Sequence, residues 1–286
     1  MTVIVTTTRG QLQEWSAVLE DFTTNTLDFL NLIELSTAVV EHEIVEVVRD
    51  WCFALASRAL WIQGRFEETH PSNTSAIAAK VINAVRQMAI PFLAFFFHVD
   101  DGTGEDLGTM VASPCKNQEA SMAVDCVYSL IRQLINQLPR DVELPGKNWK
   151  ARFESLDGSL ETFDAALKIL EQLLQQAPDT LLIIIDGVEQ VDDSEAQQPV
   201  SELLLLLQEM TSETKEERVV KTFYTTAGPS DVLEGLDEDI LQCVEAEEGR
   251  LKHMKGRLQC IDDLELDSDA NQASASESDT NEELSE

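Results

Sequence analysis

The apolar residues of this chain follow two different patterns, one of which predicts helices and the other strands. Apolar residues at helical spacing predict helices within residues 11–57. Short apolar runs predict strands at 59–64, 91–99 and 179–187, and a fourth strand is predicted at 218–226. Helical spacing returns between and after these runs, at 74–88, 127–138, 160–174 and 199–210.

Strands that alternate with helices predict an α/β fold with a parallel sheet and right-handed crossovers. Residues 1–57 form a predicted N-terminal helical segment, and residues 58–260 form the α/β domain. Residues 261–286 are rich in Ser, Asp, Glu and Asn and cannot bury apolar surface, so they predict an acidic, disordered tail.

Asp186 ends the most apolar strand, in the segment LLIIIDGVEQ, and Glu189 follows three residues later. Parallel sheets bind ligands beyond the carboxyl ends of their strands, where an acid can hold magnesium and a second acid can activate water. A second interpretation is that Asp186 and Gly187 only turn the chain. The strand pattern alone does not separate the two.

The loop after the first apolar strand reads GRFEETHPSNTS and lacks the lysine of a phosphate-binding loop. If Gly64 opens the motif, its last three positions hold Thr69, His70 and Pro71. If Thr74 or Ser75 supplies the hydroxyl that binds magnesium, no lysine precedes it.

The charges around this loop also disfavour phosphate. Glu67 and Glu68 bring negative charge toward it, and Arg65 is the nearby cation. Lys80 lies about 8–9 Å further along the following helix and cannot replace the missing lysine. We therefore do not expect tight nucleotide binding.

The segments LWIQG, LLIIIDGVEQ and VVKTFYTTAGPS, over residues 59–230, resemble the STAND class of P-loop NTPases. The chain is most similar to the divergent NACHT-like proteins of filamentous fungi. The resemblance implies a three-layer parallel sheet of the ASCE/STAND type with a degenerate Walker A loop that begins at Gly64. It also implies that Asp186 is the Walker B acid and candidate magnesium ligand, and that Glu189 is the candidate catalytic acid.

The degenerate nucleotide site would then be lined by residues from three segments, namely Gly64, Arg65, Thr74, Ser75 and Thr226. Thr225 and Thr226 fall where the family has a polar sensor, but Ala227 and Gly228 follow where an arginine is often found. A γ-phosphate sensor is therefore in doubt.

Composition narrows the choice of partners. The chain has 53 acidic and 20 basic residues and a net charge of −33, and residues 261–286 alone carry ten acids without Lys or Arg. So much negative charge repels nucleic acid. Two explanations for the charge remain, namely binding to basic proteins and solubility alone. The five cysteines have no zinc or disulfide spacing, and no run of 18 apolar residues predicts a membrane helix. The N-terminus lacks a secretory pattern, which predicts an intracellular, cytoplasmic protein.

These observations lead to three hypotheses. The first is a non-catalytic, NTPase-derived domain for protein interaction or regulation, without a bound cofactor. The alternative is a weak ATP- or GTP-binding switch that uses magnesium and hydrolyses slowly or not at all. The third is an adaptor that binds a basic protein through its acidic tail. The partner and the oligomeric state are left open.

Overall fold

The computed structural model describes residues 3–24, 39–65, 72–98, 115, 117–212, 218–237, 239–246 and 258–260. The predicted tail, and the loop residues Glu67, Glu68, His70 and Pro71, lie outside the described residues.

The described elements alternate between strands and helices. The strands are β1 (Ile4–Thr8), β2 (Val39–Glu41), β3 (Arg58–Gln63), β4 (Phe92–Phe96), β5 (Asp141–Pro145), β6 (Thr180–Asp186), β7 (Val219–Thr226), β8 (Leu241–Glu245) and β9 (Leu258–Cys260). The α-helices are α1 (Arg9–Ser16), α2 (His42–Phe53), α3 (Asn73–Gln87), α4 (Gln118–Gln137), α5 (Trp149–Glu154), α6 (Phe163–Leu174), α7 (Gln197–Ser212) and α8 (Asp231–Glu234). Three 3-10 helices span Ala17–Phe22, Leu160–Thr162 and Val188–Val191.

Five strands form one parallel sheet in the order β4-β6-β7-β3-β8. Its central strands β6 and β7 are buried on both faces because helices cover each face. Ile183 and Ile185 of β6 join the core with α4, α6 and α7, whereas Ile184 packs with α2 and α3 on the other face. The three-layer α/β fold with a parallel sheet is therefore confirmed. Within the described part of the chain, no helix is both long and apolar enough to cross a membrane.

The N-terminal segment contains helices α1 and α2, and also two strands, β1 and β2, that the apolar pattern did not predict. β1 pairs antiparallel with β5, and Thr8 lies opposite Asp141. Thr8 then caps α1, because its hydroxyl accepts a hydrogen bond from the Gln11 amide at 3.2 Å. β5 itself lies between the predicted helices at 127–138 and 160–174, where the apolar pattern predicts no strand.

We call residues 4–24 the N-terminal strap, because they run along α4. Leu12 and Leu19 are fully buried and belong to the same core as β6 and α4. The predicted division at residue 57 thus separates elements that share one hydrophobic core.

Polar contacts hold both ends of the strap. The Arg9 guanidinium donates to the Leu138 carbonyl at 3.2 Å, just beyond the last turn of α4. At the other end, Thr24 donates from its amide (3.1 Å) and its hydroxyl (2.5 Å) to the buried carboxylate of Asp125. The strap is therefore fixed along the length of α4.

Helix α2 is held against the sheet by a buried lysine. The Lys221 ammonium, on β7, donates to the carbonyl oxygens of Trp51 and Cys52 at 2.7 Å each. These are among the last carbonyls of α2, which lack partners inside the helix, so the lysine caps it. Burial lowers the pKa of Lys221, and the nearby Arg58 lowers it further.

A side-chain amide covers the β4 edge of the sheet. Gln133, on α4, accepts a hydrogen bond from the Ala94 amide and donates one to the Ala94 carbonyl, both at 2.8 Å. The glutamine thus pairs with β4 as a neighbouring strand would, at one residue.

We predict that Gln133→Ala lowers the free energy of unfolding by about 1–3 kcal/mol, because it leaves two polar groups of β4 without these partners. Gln137→Ala, on the last turn of the same helix, is the matched control for helix propensity. Urea unfolding of the three proteins measures the difference. Equal midpoints for the two variants would show that the contact with Ala94 contributes nothing.

Candidate functional site

Three parallel strands and one helix bring the candidate residues together at the carboxyl edge of the sheet. Gly64 follows β3, Asp186 ends β6, and Thr226 ends β7. Helix α3 begins at the same edge, with Ser72 as its N-cap. This edge is where parallel sheets bind their ligands.

Asp186 lies at the centre of this group and is only 3% exposed. One carboxylate oxygen accepts a hydrogen bond from the Ser75 hydroxyl at 2.7 Å, and the other accepts one from the Thr225 hydroxyl at 2.5 Å. Burial raises the pKa of Asp186 to about 7; the Thr225 and Ser75 hydrogen bonds oppose this rise, and the charge of Glu189 adds to it. A buried acid with such a pKa is typical of functional sites.

Hydroxyl groups crowd the start of α3. The Ser72 hydroxyl accepts a hydrogen bond from the Ser75 amide at 3.0 Å. It also lies 2.9 Å from the Ser75 hydroxyl and 2.8 Å from the Thr74 hydroxyl. The Ser75 hydroxyl therefore lies between Ser72 and Asp186, and the chain of hydrogen bonds joins the helix start to β6.

Thr74 occupies the position before the hydroxyl of Ser75, where a phosphate-binding loop has lysine. It is 4% exposed, and its hydroxyl donates to the Thr226 carbonyl at 3.1 Å. The Gly64 amide donates to the same carbonyl at 2.7 Å. The side chain at this position therefore ties α3 to β7.

Gly64 must be glycine for a steric reason. A Cβ atom there would lie 2.7 Å from Cγ2 of Thr74 and 2.9 Å from the Thr226 carbonyl oxygen. Arg65 follows directly and is exposed. The course of the loop beyond it lies outside the described residues, as does any block of the cleft by His70 and Pro71.

Thr225 and Thr226 face opposite sides of the sheet, because side chains alternate along a strand. Thr225 reaches Asp186, as described above. The Thr226 hydroxyl instead accepts a hydrogen bond from Nε1 of Trp61 at 2.9 Å and donates one to the Gly228 carbonyl at 2.6 Å. Thr226 meets the site only through its carbonyl, and Thr225 is the threonine whose hydroxyl belongs to the site.

The turn after Asp186 requires glycine, and the residues that follow it bring Glu189 to the site. Gly187 has φ +76°, and a Cβ atom there would lie 2.5 Å from the Phe97 carbonyl oxygen. The 3-10 helix Val188–Val191 follows and brings Glu189 back toward β7. There, Oε1 of Glu189 accepts a hydrogen bond from the Ala227 amide at 2.9 Å.

Asp186 and Ser75 offer the oxygen ligands that magnesium prefers. Each carboxylate oxygen accepts one hydroxyl hydrogen bond and keeps a second lone pair. Among the described residues, no cluster of three or more His, Cys, Asp or Glu side chains is placed to hold a metal ion.

The strand order places β7 between β3, which leads into Gly64, and β6, which ends in Asp186. With a hydroxyl of the following helix bonded to that acid, this arrangement defines a fold of the P-loop NTPase class. The sequence profile of the family described as "Nephrocystin 3, N-terminal" matches residues 45–226, more than half of the chain. The chain belongs to this family.

Other comparisons are more distant, and no curated protein matches the sequence. Among solved structures, Drosophila ORC bound to AT-rich DNA and Cdc6 is 13% identical, with a TM-score of 0.36 over 84% of this chain and 32% of the other. Drosophila ORC bound to DNA is 10% identical, with a TM-score of 0.34 over 84% and 32%. This chain thus spans about a third of the length of these two matched chains.

The raised pKa of Asp186 makes stability depend on pH. The acid binds its proton more tightly in the folded chain than in the unfolded chain, where its pKa is near 3.9. Its contribution to stability is therefore complete below about pH 4 and is lost as the pH rises through about 7.

We predict that the free energy of unfolding of the wild type falls by roughly 1–2 kcal/mol between pH 6 and 8 in EDTA, and that Asp186→Asn abolishes this fall. Asparagine is neutral and can still hydrogen-bond to both hydroxyls. Urea unfolding across this pH range measures the effect.

Asp125→Asn is the matched control, because burial raises the pKa of Asp125 to about 6 and its contribution is mostly lost below this range. Equal pH slopes for the wild type and Asp186→Asn would contradict the assignment.

Proposed function

We propose that this chain is a non-catalytic, NTPase-derived domain that acts through contacts with other proteins, as a regulatory or interaction module. The observation that carries the proposal is the position of Thr74. A buried hydroxyl, bonded to the Thr226 carbonyl, stands where a catalytic loop has the ammonium that reaches the β- and γ-phosphates.

Electrostatics supports the same conclusion. Without lysine, the positive end of α3 is left to attract phosphate, and a helix terminus contributes only about 1 kcal/mol. The charge of −33 on the chain opposes the approach of a polyanion. Glu67 and Glu68 add to this repulsion from within the loop sequence.

In this proposal the acid of the former nucleotide site has a structural role. Asp186 joins β6 to α3 through Ser75 and to β7 through Thr225. These contacts join β6, β7 and α3 at the carboxyl edge of the sheet without a bound ligand. The domain would thus keep one conformation whether or not nucleotide is present, as suits a constant binding surface.

A nucleotide-binding switch of the STAND or NACHT-like kind is the second candidate. The contact of 2.7 Å between Ser75 and Asp186 favours it, because both groups are suited to share a magnesium ion. The nearby Glu189 would be the candidate catalytic acid. Such a switch would need Arg65, or a cation from a partner, to balance the charge of ATP or GTP.

We predict that calorimetry at millimolar ATP or GTP with magnesium detects no binding to the wild type. Thr74→Lys should restore measurable binding, because it returns an ammonium to the loop. Asn73→Lys is the matched control, since it adds the same charge one residue earlier, at an exposed position. Thermal unfolding of each variant checks that it is folded.

Micromolar binding to the wild type that disappears in Asp186→Ala would overturn the proposal and favour the switch. Equal behaviour of Thr74→Lys and Asn73→Lys would contradict the explanation by the missing lysine.

A further inference from the structure

The two edges of the five-stranded sheet are treated differently. On one side, the oxygen and the nitrogen of the Gln133 side-chain amide both bond to the main chain of Ala94 on β4. On the other side the sheet ends at β8, which has β3 as its one strand neighbour among the described residues. Three of the five residues of β8 are exposed, namely Gln242, Cys243 and Glu245.

The ladder between β3 and β8 shows which main-chain groups point outward. The Ala246 amide donates to the Gln63 carbonyl at 2.9 Å, so it points toward β3. Main-chain direction alternates along a strand, and Cys243 and Glu245 therefore present their N–H and C=O groups to the outer side. Within the described part of the chain, no hydrogen bond occupies these groups. Such a row is a template for one more strand.

The acidic side chains beside this edge favour an added strand that carries positive charge. Glu245 belongs to β8 itself, and its side chain lies on the same face as that of Cys243, two residues earlier. Partial burial raises the pKa of the Cys243 thiol, and the carboxylates of Glu245 and Glu234 raise it further. A second copy of this chain would bring another −33 charges and be repelled. A segment that carries Lys or Arg would instead be attracted to both acids.

We propose that the outer edge of β8 binds an extended, Lys- or Arg-bearing segment of another protein, which adds to the sheet as a sixth strand. Main-chain hydrogen bonds to Cys243 and Glu245 hold the segment, and Glu245 and Glu234 select its charge. The inference deepens the proposed interaction function and rests on it, because it assigns that function a surface and a class of partner.

The probe is a capped seven-residue peptide of alternating Lys and Val, added to the full chain. Amide hydrogen exchange is followed by NMR at Cys243 and Glu245. At a peptide concentration about ten times its Kd, exchange at these two amides should slow about tenfold. Two further peptides serve as controls: one is N-methylated at alternate residues, and the other has Thr in place of Lys.

Two substitutions in β8 test the same edge by changing the protein instead of the peptide. Cys243→Pro removes an outward amide without touching the ladder to β3, a position where edge strands tolerate proline. Glu245→Lys reverses a selecting charge and should weaken binding about tenfold or more, as expected for loss of attraction and added repulsion. Glu209→Lys, at an exposed position of α7, makes the same change in net charge elsewhere.

Equal binding of the N-methylated peptide would overturn strand addition in favour of general charge attraction. Equal binding of the Thr peptide, or equal weakening by Glu245→Lys and Glu209→Lys, would overturn the selection by charge. Protection of both amides in the free chain would show that its own residues cover the edge.

Failure here is separable from failure of the proposed function. No nucleotide enters these measurements, and binding of nucleotide in calorimetry would overturn that function while leaving the peptide result unchanged. Loss of peptide binding, in turn, would leave the observation at Thr74 intact.

Discussion

The buried carboxylate of Asp186 is the interaction on which the carboxyl edge of the sheet depends. Its two oxygens accept hydrogen bonds from Ser75 and Thr225, so one side chain joins the end of β6 to α3 and to β7. Burial works against the charge of this acid, and the two hydroxyls oppose only part of that cost. Thr74 of α3 and Gly64, which follows β3, both donate to the carbonyl of Thr226 on β7.

The layers of the fold could be predicted from the sequence because the central strands are covered on both faces. The run that predicts a strand at 179–187 forms β6 over Thr180–Asp186, and the run at 218–226 forms β7 over Val219–Thr226. Both strands are buried along almost their whole length, and strands that are covered on both faces are typical of parallel sheets. The Asp-Gly pair that ends β6 is both a turn and part of the candidate site, so the two interpretations are compatible.

The remaining elements leave little trace in the sequence. β8 buries one of its five residues, and β5 is short and ends in proline, so neither has the continuous apolar run of a central strand. The pattern also could not decide between Thr225 and Thr226. Both are fully buried, and the register against β6 and β3 determines which hydroxyl faces the acid. That choice depends on tertiary pairing, which no local pattern contains.

The N-terminal strap has a consequence for the order in which the chain acquires its structure. β1 is made first during synthesis, but its partner β5 follows only after residue 140, and the strap also needs α4 to bury Leu12 and Leu19. Contacts between such distant parts of a chain form late, because closing a long loop costs entropy before any contact forms. The N-terminal strap is thus among the last segments to reach its place, after the elements of the family match at residues 45–226 on which it packs.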